Sequence, residues 1–287
     1  MALSQSLEQL STQVPGSTPA LMQWLTTQLA AGHAPATLQQ SLLDTGWALD
    51  IAQAAIAVCT QPHLGTSPLS TMPDPDLRQH PSEIDVGDRR VQVLLSMHRP
   101  RIVLLGNLLS DAECDQLIAD ARPAMARSRT VVTQTSSEEI NPDRTSRGMF
   151  YARGQTPVVA QLEARIARLL RWPVENGEGL QVLHYLPGAE YKPHHDYFSP
   201  QEPGSAALLQ RGGQRVGTLV IYLNNVANGG CTFFPESQLR IQPRKGHAVF
   251  FAYPSPHAST LTLHGGDPIV AGEKWIATKW LRERAFR

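Results

Sequence analysis

Residues 175–198 read ENGEGLQVLHYLPGAEYKPHHDYF. An apolar run, GLQVLHYLP at 179–187, has the length of a strand and is closed by Pro187 and Gly188. Beyond the turn, two adjacent histidines and an aspartate stand between aromatic residues. A strand alternates its side chains, so His194 and Asp196 share one face and His195 points to the other. Two donors on one face suit a single metal ion, whereas His194 and His195 together would need distortion. A second histidine must then come from elsewhere in the fold. Downstream candidates are His247, His257 and His264.

His264 stands in the context LTLHGGDPIVAGEKWIATKW, residues 261–280, where it closes an apolar strand. Ten residues on, Lys274 opens the last strand, whose alternation puts Lys274, Ile276, Thr278 and Trp280 on one face. A lysine on the inner face of a barrel is costly unless it meets an anion, which a bound carboxylate would supply. Two histidines and a carboxylate also serve catalytic zinc. A near-neighbour pair, a distant histidine and a following basic residue favour the facial triad of a non-haem Fe(II) oxygenase.

Further outward, short strand candidates follow one another from residue 179: GTLVIYLNN, CTFFP, HAVFFAYP, STLTLHG and KWIATKWLRE. VQVLLSMHRPRIVLLGNLLS, residues 91–110, adds two more. DAECDQLIADAR and TPVVAQLEARIARLLRW have helical spacing, the second with apolar residues at 159, 162, 166, 169 and 170. This is a mainly β chain with flanking helices, a sandwich or barrel. Residues 1–59 differ: TPALMQWLTTQLAAG and ATLQQSLLDTGWALDIAQAAIAVC predict a small bundle of three or four helices, with Leu21, Trp24, Leu25 and Leu29 in its core. Residues 60–85 contain Pro62, Pro68, Pro73, Pro75 and Pro81, which predicts a linker or extended arm. The remaining domain spans 86–287.

Composition bounds the partners. Lys plus Arg and Asp plus Glu are each 25, so the formal net charge is zero and nothing points to nucleic acid or an anionic membrane. No run of about 18 apolar residues is present. The N-terminus lacks a basic stretch followed by an apolar one, so no signal peptide is expected. Three dispersed cysteines, Cys59, Cys114 and Cys231, give no CxxC pair and suit a reducing, cytoplasmic setting.

From about residue 98 to 284 the chain resembles the prolyl 4-hydroxylase family of Fe(II)/2-oxoglutarate dioxygenases. The resemblance lies in ENGEGLQVLHYLPGAEYKPHHDYF, GTLVIYLNNVANGGCTFFP, PRKGHAVFF and LHGGDPIVAGEKWIATKWLRE, in that order. It implies a double-stranded β-helix (jelly-roll) core, with Fe(II), 2-oxoglutarate and O2 as cofactor and cosubstrates, and ascorbate to rescue oxidised iron. It carries the metal ligands onto His194, Asp196 and His264. The anchor for the distal carboxylate of 2-oxoglutarate falls on Lys274, with Tyr185 and Thr218 beside it. Tyr191 and Trp280 match the substrate side, Arg144 and Ser146 of DRTSRG match a peptide-contacting segment, and Arg215 matches a basic residue before the GTLVIYLN strand. The implied reaction is C4 hydroxylation of a prolyl residue in a peptide or protein.

Three departures bear on the substrate. Cys231 stands where an acidic or small residue is usual, Arg282 replaces a histidine of some peptide-binding relatives, and the loop 199–215 is a candidate cover over the site. His195 is expected to be structural and His184 to pack. Two other readings stay open: an oxygenase of another residue or a small molecule, and a non-catalytic iron- or oxygen-sensing adaptor. The N-terminal bundle would recruit a protein partner.

Overall fold

The computed structural model describes residues 14–30, 33–60, 72–127, 129–132, 137–140 and 145–287. The chain divides into two compact units, Met1–Pro68 and Leu69–Arg287.

The first unit shows three helices among its described residues: α1 (Pro19–Ala30), α2 (Pro35–Asp44) and α3 (Leu49–Thr60). The first two start on proline, whose missing N–H costs nothing in a first turn. Gly46, at φ +91°, ends the second as Thr45-Gly46 predicts. Leu21, Met22, Leu25, Leu38, Leu42, Ala52, Ala55 and Ile56 form the core. Trp24 is not part of it: at 37% exposure it lies on the outer side of α1. Met22, one turn before the buried position of α1 it neighbours, takes the inward place instead. Gly32 lies outside the described residues.

The second unit is a β-sandwich. Its strands are β1 (Glu83–Asp85), β2 (Arg90–Met97), β3 (Arg101–Gly106), β4 (Ala126–Arg127), β5 (Arg129–Val132), β6 (Ser137–Ile140), β7 (Arg147–Tyr151), β8 (Leu180–Tyr185), β9 (Tyr191–His194), β10 (Arg215–Tyr222), β11 (Asn228–Gly229), β12 (Thr232–Phe234), β13 (Leu239–Ile241), β14 (Ala248–Ala252), β15 (His264–Gly266), β16 (Ile269–Ala271) and β17 (Lys274–Arg282). The helices are α4 (Asp111–Ala121), α5 (Pro157–Leu170) and α6 (Ser205–Gln210). The major sheet has the order β1-β2-β3-β14-β10-β17-β8-β7-β4, and the minor sheet β13-β12-β15-β9. Every pairing in them is antiparallel. This is the jelly-roll core expected from the sequence.

Alternation on the central strands makes two cores. Leu219, Ile221 and Ala277 join Val159, Leu162 and Ile166 of α5 and Cys114 and Leu117 of α4. Val220, Tyr222, Phe251 and Ile276 turn the other way, toward Phe234 and Ile241 of the minor sheet. Because both faces are covered, all nine residues of β17 are buried. Beneath the helices, buried Arg165 of α5 binds Asp88 at 2.7 Å and Glu113 at 2.6 Å. Glu113 also closes the capping box of α4 with Ser110.

Of the linker or extended arm expected over residues 60–85, the described part is the arm. From residue 72 it is an arm laid on the sandwich: the Asp74 N–H donates to Leu170 O at 3.0 Å, and its carboxylate takes Arg101 at 2.7 Å. Prolines cannot donate to a ladder, so the residues between them make these attachments. The loop 199–215 is likewise tied down. It contains α6, and Arg282 Nη2 donates to Leu208 O at 2.5 Å and Arg211 O at 2.6 Å.

Candidate metal centre

β9 and β15 lie side by side in the minor sheet, with His194 directly opposite His264. Opposed residues of an antiparallel pair share a face, so the two imidazoles meet, centroids 4.4 Å apart. His264 begins its strand rather than ending one. The STLTL stretch before it forms a tight turn at Ala258–Thr260, where His257 is exposed and caps Ser259 instead of reaching the site.

Asp196 arrives by a different route from the one alternation predicts. β9 stops at His194, so Asp196 sits on the bend after the strand. Tertiary hydrogen bonds place it: Thr218 Oγ1 donates to Asp196 Oδ2 at 2.7 Å, and Arg215 Nη1 donates to Asp196 O at 3.3 Å. Tyr253 Oη shares the Thr218 hydroxyl at 2.8 Å. His195 turns away and stacks on Tyr197 at 4.6 Å.

The donor atoms converge. His194 Nε2 is 3.6 Å from Asp196 Oδ1, and His264 Nε2 is 3.5 Å from Asp196 Oδ2. The three residues offer donors all within 4.8 Å of one another. On the far side of each ring, Nδ1 meets a backbone oxygen two residues earlier, Lys192 O at 2.8 Å and Thr262 O at 3.0 Å. A carbonyl only accepts, so each Nδ1 carries a proton and Nε2 is the ring atom that faces the cluster. Burial pushes the Asp196 carboxyl up, but His264, His194 and Arg215 hold it down at about 2, so it is an anionic donor. Two imidazoles and one carboxylate on one side of a cavity fit a facial-triad metal such as Fe(II).

Lys274 lies in the same cavity, with Leu183, Tyr185, Thr232, Gly266 and Thr278 among its walls. Its side chain is buried, and no carboxylate among the described residues pairs with it. Lys279, five residues along the strand, is equally buried but is held by Glu163. Burial lowers the Lys274 ammonium to about 8. Tyr185 is directly opposite it on β8, its ring centroid 5.8 Å from Nζ. Thr232, whose hydroxyl accepts from Tyr222 at 2.9 Å, is a wall residue that the sequence reading missed. Only its place in an inward-facing strand could have marked it. Cys231 beside it is buried, which raises its thiol.

The remaining expected residues separate. Tyr191 stacks on His194 at 3.7 Å and lines the cavity with Trp280. Thr218 is not among the cavity's lining residues: its hydroxyl donates to Asp196. Arg215 does not present its guanidinium to solvent. It is taken by Glu178, at 2.7 and 2.9 Å, and lies 4.1 Å from the Trp280 ring centroid. Glu178 also receives Arg282 at 3.4 Å. Thus Arg282, with Leu208 and Arg211 as its other partners, braces α6. Ser146 is buried directly before β7, and Arg144 lies outside the described residues. His184 packs on Trp275 at 4.0 Å and meets Glu273 at 2.6 Å, away from the cavity. Glu178 and Tyr253 position site residues without any local motif to announce them.

Thr218→Val keeps the volume and removes the hydroxyl that orients Asp196. Metal affinity is expected to drop about tenfold or more, with stability falling by about 1–3 kcal/mol because Asp196 and Tyr253 lose a buried partner. Titration with Fe(II) or Mn(II) beside a melting curve checks this, and unchanged affinity would refute the positioning role.

Comparison with known proteins supports the same chemistry. Residues 180–282 match the family model described as the 2OG-Fe(II) oxygenase superfamily. The chain is 38% identical over 222 residues to prolyl 4-hydroxylase 5 of Arabidopsis thaliana, covering 70% of this chain and 74% of that protein. It is also 38% identical over 221 residues to probable prolyl 4-hydroxylase 8 of the same plant, with the same coverage. Among solved structures, the viral collagen prolyl hydroxylase of Paramecium Bursaria Chlorella virus-1, in complex with 2OG, aligns at 28% identity with a TM-score of 0.50. That alignment covers 63% of this chain and 95% of the viral one.

Proposed function

Because the chain belongs to the prolyl 4-hydroxylase family of Fe(II)/2-oxoglutarate dioxygenases, we propose that it hydroxylates a prolyl residue at C4 in a peptide or protein, converting 2-oxoglutarate to succinate and CO2. The observation that carries this reading is the buried ammonium of Lys274, unpaired by any carboxylate among the described residues, in the cavity that holds the His194–Asp196–His264 cluster. Zinc hydrolysis gives no reason for such a cation, whereas a dicarboxylate cosubstrate does.

His194, Asp196 and His264 would hold Fe(II), which when bound supplies the activation of O2. Lys274 takes the far carboxylate of 2-oxoglutarate by a charge-assisted hydrogen bond, and Tyr185 stands opposite to add a second. Leu183, Val220 and Ile276 keep water from the cavity walls. Tyr191 and Trp280 flank the opening where the proline would enter. Glu178 and Arg215 fix Trp280 from the protein side. The helical unit Met1–Pro68 carries none of these residues, and in this reading it recruits a protein partner. Three free cysteines suit a reducing compartment.

The test is succinate formation by the purified protein with Fe(II), 2-oxoglutarate and O2, with and without a proline-rich peptide whose mass is followed. Peptide-dependent succinate and a one-oxygen gain at proline are expected. Succinate with an unmodified peptide would replace the substrate assignment with another oxygenase substrate. No succinate from metal-loaded protein would leave a sensor or adaptor.

A further inference from the structure

β17 outruns its neighbour β10 at the end that carries Lys274. The last paired residues of the two strands are Tyr222 and Ile276, and one further bond runs from Leu223 N–H to Trp275 O at 2.9 Å. There the chain bends, so the peptide groups of Glu273 and Trp275 that face this edge have no strand to meet. The Asn224 side chain takes the place of one. Its Oδ1 accepts from Trp275 N–H at 2.7 Å, and its Nδ2 donates to Glu273 O at 2.8 Å. One carboxamide thus holds the backbone on both sides of Lys274. Its orientation is fixed, since a backbone N–H only donates and a carbonyl only accepts. On the opposite edge Lys274 is paired with Tyr185 of β8. Beyond its root, the lysine stem passes two glycines: a Cβ added at Gly230 would meet Cδ at 3.5 Å, and one at Gly266 would meet Nζ at 3.8 Å. On these two sides no side chain grips the stem, so the fixed root decides where the ammonium stands.

We infer that Asn224 is a positioning residue for the cosubstrate: by pinning the peptide groups of Glu273 and Trp275, it aims the Lys274 ammonium at the far carboxylate of 2-oxoglutarate. The inference rests on the reading of Lys274 given above. A hydrogen bond weakens steeply once its donor is displaced or turned, so a small shift of the lysine root is felt at the carboxylate. Asn224 is not among the residues lining the cavity, and its effect on the cosubstrate passes through the strand. The chelating end of 2-oxoglutarate, which the metal would hold, is on the other side of the cavity from this root and gains nothing from Asn224. A residue that only sealed the end of β17 would instead weaken every ligand of the site alike.

The test uses the full chain loaded with Fe(II) in the absence of O2, so that binding is read without turnover. Calorimetry compares 2-oxoglutarate with 2-oxobutyrate, which keeps the chelating 2-oxo acid and lacks the far carboxylate. Asn224→Ala is expected to bind 2-oxoglutarate about tenfold more weakly, with 2-oxobutyrate within about twofold of wild type. Asn224→Asp keeps the shape and the acceptor for Trp275 N–H but sets an oxygen against Glu273 O. The same selective loss is expected there, without the gap that alanine leaves. In a Lys274→Met background Asn224→Ala should have no further effect on 2-oxoglutarate, because the group it aims is gone. Unchanged 2-oxoglutarate affinity in both variants would overturn the inference. So would an equal loss of both ligands, or a further loss in the Lys274→Met background. The reading of Lys274 fails by a different result: wild-type protein that binds 2-oxoglutarate no more tightly than 2-oxobutyrate would refute it, and the inference with it.

Discussion

In His194→Ala, Fe(II) binding and succinate formation are both expected to fall by at least about a hundredfold, while His195→Ala stays within about twofold of wild type. The two histidines are neighbours in sequence and opposite in orientation. His194 Nε2 faces Asp196 at 3.6 Å and its Nδ1 is fixed by Lys192 O, whereas the His195 ring lies on Tyr197. His264→Ala should match His194→Ala. Asp196→Ala should do at least as much harm, since it removes the anion that balances the ion and leaves the Thr218 hydroxyl without its acceptor. Metal titration, succinate yield and melting temperature measured on all four variants separate ligand loss from unfolding. Equal damage from His194→Ala and His195→Ala would contradict the assignment.

Lys274→Met is expected to move two quantities in opposite directions. The apo protein should become more stable, because a buried ammonium with no paired carboxylate among the described residues is replaced by an apolar chain of similar length. The KM for 2-oxoglutarate should rise by about a hundredfold, because one partner of a desolvated charge pair is gone. A residue that merely packed would lower stability and leave KM alone. The pH dependence has a definite sign. Burial brings Lys274 down to about 8, so free protein carries the ammonium below that pH and loses it above. Binding a carboxylate requires the proton, so KM for 2-oxoglutarate should be flat below about pH 8 and climb about tenfold per unit above it. Lys274→Met should abolish this rise, and a variant profile that keeps it would assign the titration to another group.

Local pattern carried the fold and the metal centre a long way. Alternation on the last strand put Lys274, Ile276, Thr278 and Trp280 on one face, and all four line the cavity. Helical spacing at Val159, Leu162, Ile166, Leu169 and Leu170 gave the buried side of α5. Alternation does not account for Asp196: β9 ends before it, and its position comes from Thr218 and Arg215, about twenty residues downstream. The same long-range bonds explain the misplaced roles. Nothing near Arg215 announces Glu178, 37 residues earlier, or shows that a loop basic residue is committed to a buried pair. Arg282 reads as a substrate-facing substitution until its guanidinium is seen donating to the Leu208 and Arg211 carbonyls. Composition likewise marks the proline-rich arm as extended and cannot say what it lies on.

β17 runs from the lysine at one end of the cavity to the tryptophan at the other, with every residue buried and registered against both β8 and β10. Removing or adding one residue within it would exchange its two faces. Trp275, Ala277 and Lys279 would swing toward the metal, and the Glu163 partner of Lys279 would be stranded among the helices. A change of chain length is therefore tolerated only in the connections, while this strand can vary by substitution alone.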